Sequence, residues 1–187
     1  MADQLYLSYC VEGFTGTNML RHYGKLLGKF PYSRLDPAAV LRVHAISAVE
    51  PVLFETPFKD AATGAPILDA AREFAAADSA LEVEANWDLW QHTGEWKLAP
   101  SRVSLWCFGP KFEGEDENLR IDFGIDANFL PQPDSEGELL PVQSNIRSLL
   151  SLVHELDATL LVESRRLRTE SGENFAEKLQ RTLETAG

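Results

Sequence analysis

The side chains best suited to chemistry in this 187-residue chain fall in three neighbouring runs. Glu82, Glu84 and Asp88 occupy even positions of one alternating segment, and Arg102, Arg120 and Asp122 fall in the two segments that follow it. Carboxylates and guanidinium groups on one sheet face form cross-strand ion pairs. Carboxylates held in unlike surroundings are also the material of general acid–base chemistry. Aromatic residues accompany them: Trp90 near the end of the first run, Trp106 and Phe108 in the second. Large rings framed by charge are common anchors of protein interfaces. Together these nine residues are the candidate site, and they point to binding before catalysis because no motif accompanies them.

Motifs that would decide a reaction fail on inspection. His154-Glu155-Leu156-Asp157 opens like a zinc-protease helix, but the second histidine belongs at 158, where Ala158 stands. Two imidazoles on one helix face are therefore missing. His22, His44 and His92 have no His or Cys neighbour at metal-ligand spacing. Gly13-Phe14-Thr15-Gly16-Thr17 lacks the lysine and the wider glycine spacing of a phosphate-binding loop. The acidic run Glu113 to Asn118 fails as a calcium loop, since counting from Asp116 puts Arg120 and Ile121 where an oxygen ligand and a glycine are needed. No Gly-x-Ser-x-Gly elbow is present. Cys10 and Cys107 lie in apolar strand-like runs and read as small buried hydrophobes. No cofactor and no metal is expected.

Charge narrows the partners. Acidic residues number 29 against 17 basic ones, a net charge of −12. Such a surface repels phosphate backbones and anionic bilayers, so neither nucleic acid nor membrane is expected as a partner. A basic protein, or self-association through the aromatic patch, fits better. The start, Met1-Ala2-Asp3-Gln4, lacks the basic segment of a signal peptide. No apolar run reaches the length of a membrane helix. Cytoplasmic residence is the expectation.

The elements that must position these residues follow from periodicity. Leu5 to Val11 reads as a strand, and Thr17 as the cap of a helix from Asn18 to Leu27 that closes at Gly28. Strands follow over Val40–Ser47 and Val52–Phe58, with Pro57 marking an edge. An alanine-rich helix is predicted over Ile67–Ala77. Leu81 to Gln91 alternates, with Leu81, Val83, Ala85, Trp87 and Leu89 on one face. Arg102–Phe108 and Leu119–Ile125 complete an antiparallel meander. Phe129 to Val142 reads as an irregular connection. Ser144 is expected to cap a helix to Leu156, 159–167 reads equally as strand or helix, and a short helix runs from Asn174 to Leu183.

This order predicts one α+β domain spanning residues 1–187. Its expected centre is a ferredoxin-like βαββαβ core extended by a β-hairpin into a mostly antiparallel sheet of about six strands, with helices on one face. Trp106 and Phe108 then point away from the helices, beside Trp90. Apolar residues on both faces of a strand require cover on both. Three covers are open: the 129–140 segment, a partner protein or second copy, and a small-molecule ligand. The first function this supports is a non-enzymatic binding module of the inhibitor, immunity or assembly kind. The alternative is an enzyme or ligand-binding protein using carboxylates on the open sheet face.

Overall fold

The computed structural model describes residues 3–62, 64–131 and 139–186. Seven strands and four helices follow in chain order: β1 (Gln4–Val11), α1 (Met19–Lys29), β2 (Ala39–Ala45), β3 (Phe54–Phe58), α2 (Ala65–Ala71), β4 (Ser79–His92), β5 (Trp96–Phe108), β6 (Leu119–Ile125), α3 (Leu139–Thr159), β7 (Val162–Thr169) and α4 (Phe175–Ala186). Alternation built the sheet as the sequence implied. Leu81, Val83, Ala85, Trp87 and Leu89 of β4 are buried, as are Leu119, Ile121 and Phe123 of β6. A one-residue slip would turn every one of these to water, so the register is firmly set.

All strand pairings are antiparallel, in the order β3-β2-β4-β5-β6-β1-β7. Two expectations need correction. The sheet has seven strands, the seventh being β7, where the sequence was ambiguous. Its exposed edge carries Arg165, Arg166 and Arg168, which hides the alternation. A ferredoxin-like core is also not found. That core would pair β1 within the first four strands, whereas β1 lies between β6 and β7. The connected strands β4, β5 and β6 pair in succession, and β1 closes onto the end of that row.

Helix boundaries were set by proline more than by the expected caps. Thr17 is not the cap of α1; Asn18 precedes the helix and exchanges hydrogen bonds with Thr15. Gly28 does not end it either, since the helix runs to Lys29 and stops where Pro31 forces Phe30 into extended backbone. Ser144 is internal to α3, which begins at Leu139 with Pro141 tolerated in its first turn. The second helix is shorter than expected because Phe74 bonds back to Ala71, tightening the chain into a turn.

Met19, Tyr23 and Leu26 of α1, Ile67 of α2, Leu149 and Leu156 of α3 and Phe175 of α4 join the inward strand residues in one apolar cluster. All four helices therefore contribute to one side of the sheet. Tyr23 Oη donates to the Leu105 carbonyl at 2.7 Å, which satisfies a phenol deep in that layer. Among the described residues no helix is long and apolar enough to cross a membrane.

Candidate functional site

The outer side of the sheet is where the predicted residues gather, and register explains how. Trp106 on β5 stands opposite Glu82 on β4 and Arg120 on β6. Phe108 follows two residues later on the same side and stacks on Trp106, centroids 5.3 Å apart and planes within 10°. Trp106 Nε1 donates to Asp122 Oδ2 at 3.2 Å. Arg120 Nε donates to the other oxygen of Asp122 at 2.9 Å, and its guanidinium lies 4.9 Å from the Phe108 ring centroid. A cation so placed is held by ring electrons and by carboxylates at once.

Beside this aromatic centre runs a charge ladder. Arg42 of β2 donates to Glu55 of β3 at 2.6 Å and to Glu84 at 3.2 Å, and Arg102 lies 3.7 Å from Glu84. Glu82 is buried. It accepts from Ser104 Oγ at 2.9 Å and faces His44 Nε2 at 3.2 Å. The carboxylate makes Nε2 the protonated nitrogen of His44. His44 Nδ1 is buried without a partner, and the ring packs 5.2 Å from Trp106. Here the carboxylate is central and itself accepts the hydrogen bond of the serine hydroxyl, so the imidazole does not activate that hydroxyl.

Asp122 is a carboxylate of this face with altered acidity. Burial pushes its carboxyl up to about 6, against the pull of Arg120 and the Trp106 hydrogen bond. Taking the charge out of water outweighs the nearby cation.

Seven of the nine predicted residues thus meet: Glu82, Glu84, Arg102, Trp106, Phe108, Arg120 and Asp122. Trp90 and Asp88 do not join them. Trp90 pairs with Leu98, eight residues along β4 from Glu82, or roughly 26 Å. Trp90 therefore shares the face with Trp106 but is not beside it. Its backbone N–H and C=O are both bound by Asn145 of α3. Asp88 accepts from Ser33 Oγ and from the Arg34 N–H, tying down the segment before β2.

The cover over Phe108 also differs from expectation. Residues 109–118 fold back over this end of the sheet, and Phe112 packs on Phe108 and Ala80. Gly109 permits the reversal: a Cβ there would lie 2.4 Å from the Ala77 carbonyl oxygen. Glu115 and Glu117 then reach Arg120 at 2.9 and 3.6 Å. Phe129 and Leu130 belong instead to the inner cluster; residues 132–138 of that expected cover lie outside the described residues. Trp106 remains half-buried with Phe108 sealed beneath the chain's own segment.

Arg42, His44 and Ser104 were missed in the sequence. Leu41 and Val43 pointing inward place Arg42 and His44 outward, but spacing tests His44 only as a metal ligand and says nothing of a carboxylate on the neighbouring strand. The histidines fall in separate elements, and among the described residues no group of three or more His, Cys, Asp or Glu side chains is arranged to hold a metal ion. A groove of about 370 Å³ lies between α1 and α3, walled by Lys29, Arg147 and Glu155 over Trp87. It shares no residue with the outer-face set. Scans against protein-family models, curated proteins and solved structures return no match to this chain.

Proposed function

We propose that this chain is a non-enzymatic binding module, of the inhibitor, immunity or assembly kind, whose outer sheet face engages a basic protein. One observation carries the reading: Trp106, still half-open, is ringed by Glu82, Asp122 and His44 on a sheet side that the helices leave uncovered. A flat aromatic with a polar rim supplies contact area at low entropic cost. The net charge of −12 favours cationic partners and speeds their approach. Self-association is the weaker form of this reading, because two such faces would oppose like charges.

Affinity capture from lysate of the source cell, at low and then moderate salt, tests it. A protein held by the parent should be released as salt rises and should be lost with Trp106→Ala, whose circular dichroism matches the parent. Equal retention by parent and variant would remove Trp106 from the interface and the proposal with it.

Asp122 favours a second reading. A carboxyl poised near neutrality, beside an aromatic ring and a guanidinium, suits proton exchange with a small bound ligand. A ligand of that kind would shift the Asp122 titration on binding, which carbon-detected NMR reads directly. A basic protein would act on Trp106 fluorescence without needing Asp122 protonated.

A further inference from the structure

The connection between β2 and β3 is Ile46-Ser47-Ala48-Val49-Glu50-Pro51-Val52-Leu53. Hairpin loops are ordinarily short and polar. This one exposes Ile46 at 52%, Val49 at 91%, Val52 at 43% and Leu53 at 62%. Four large aliphatics exposed within eight residues are the kind of apolar surface that marks interaction sites.

The loop is also strained and pinned. Ile46 has φ of 70°, a conformation that β-branched residues rarely adopt. The Ser47 N–H donates to the Ala45 carbonyl at 2.8 Å, closing a γ-turn in its rare positive-φ form. Two longer-range bonds hold it there: Ile46 N–H to the Asp78 carbonyl at 2.8 Å, and Glu113 N–H to the Ile46 carbonyl at 2.7 Å. Leu53 N–H to the Val43 carbonyl, 2.8 Å, closes the base. The second of these bonds comes from the same 109–118 segment that covers Phe108, so the loop is locked to the edge of the Trp106 face. Strain that surrounding structure over-determines is a mark of a functional segment. A loop already fixed in shape also loses little freedom on binding.

We propose that residues 46–53 form an apolar knuckle that inserts into an apolar recess rimmed by Lys and Arg on a basic protein. This rests on the binding reading above and names where the contact is made. The partner's chemistry follows from the acids around the knuckle: Glu50 in its turn, and Asp78 and Glu113, whose backbone groups bond Ile46, at its foot, all exposed and outnumbering the exposed Lys111. An apolar loop set among acids complements an apolar recess with a basic rim. A second copy would set these acids against their own kind.

Two synthetic peptides of equal length and charge test the chemistry, one an amphipathic Leu/Lys helix and the other Lys and Gly alone. Calorimetry at low salt should show the parent preferring the Leu/Lys peptide roughly tenfold or more, about the least that burying one aliphatic side chain is worth. Val49→Asp with Leu53→Asp should erase that preference and leave Lys/Gly binding in place. Val49→Ser, a milder change at a fully exposed position, should weaken it partly. Glu113→Lys should weaken both peptides. If the double variant keeps the preference, or the parent never shows it while still binding Lys/Gly, the knuckle is wrong and the acidic-face reading stands. Binding of neither peptide sinks both. A parent dimer in sedimentation that the double variant abolishes would make a second copy the occupant, and uptake by phosphatidylcholine vesicles would make it a bilayer; either overturns the proposal.

Discussion

The two sides of the sheet are built from the same strands by residues one position apart, and they serve different ends. Inward, Val83 and Leu105 join the cluster to which the helices contribute and are wholly buried. Outward, their neighbours Glu82 and Trp106 meet ions, hydroxyls and rings. Each inward aliphatic contributes through removal from water, about 1.5–3 kcal/mol. Exposed outward ion pairs such as Arg102–Glu84 contribute about 0–1 kcal/mol each because water screens them, and for the buried Glu82 and half-buried Arg120 the cost of leaving water offsets the attraction. Stability therefore resides mainly on the helical side. The outer side is free to carry shape and charge for recognition.

That asymmetry can be broken most severely by truncating one large ring on each side. Phe123→Ala, from a ring wholly buried against Trp87 and Phe129, should cost about 3–5 kcal/mol in urea unfolding. Trp106→Ala, half-open, should cost about half as much. Equal losses would show that the outer cluster is a second core and not a surface.

The acidity of Asp122 sharpens the comparison next. Its folded value, about 6, stands above the 3.8 of the exposed group. The native state thus binds this proton more tightly than the unfolded chain does. The stability it contributes is fully present below about pH 4 and is lost as pH rises through 6. Between pH 7 and pH 4 the unfolding free energy of the parent should gain about 2 kcal/mol relative to Asp122→Asn. Parallel curves for the two proteins would mean that Asp122 is solvated and the outer face wet throughout.

The smallest effect is expected at the strained loop. Glycine for a β-branched residue usually costs about 1 kcal/mol through the unfolded chain. At Ile46, where φ is 70°, relief of strain should cancel that cost. Thermal melts of Ile46→Gly and the parent should coincide or favour the variant. A clear loss would mean that the Ile46 side chain packs and is not offered to solvent.

Much of the β4–β6 meander was legible in the sequence because period-two alternation is a local property. Leu119–Ile125 was read with its observed limits, and Glu82, Glu84, Arg102, Arg120 and Asp122 were rightly placed on one side. The neighbours of Trp106 were not legible. Alternation says which side a ring faces and nothing about how far along the strand its neighbour lies. Trp90 shares the side of Trp106 but sits roughly 26 Å away.

By itself, then, the sequence determined the sidedness of the strands, the apolar stripe of the long third helix and the acidity of the surface, since each depends on residue type and short spacing. Only the tertiary structure decided that β1 lies between β6 and β7, that 109–118 and not 129–131 covers Phe108, and that His44 meets Glu82. Those contacts join residues far apart in the chain, and closing such loops depends on how every element packs together and not on any local pattern.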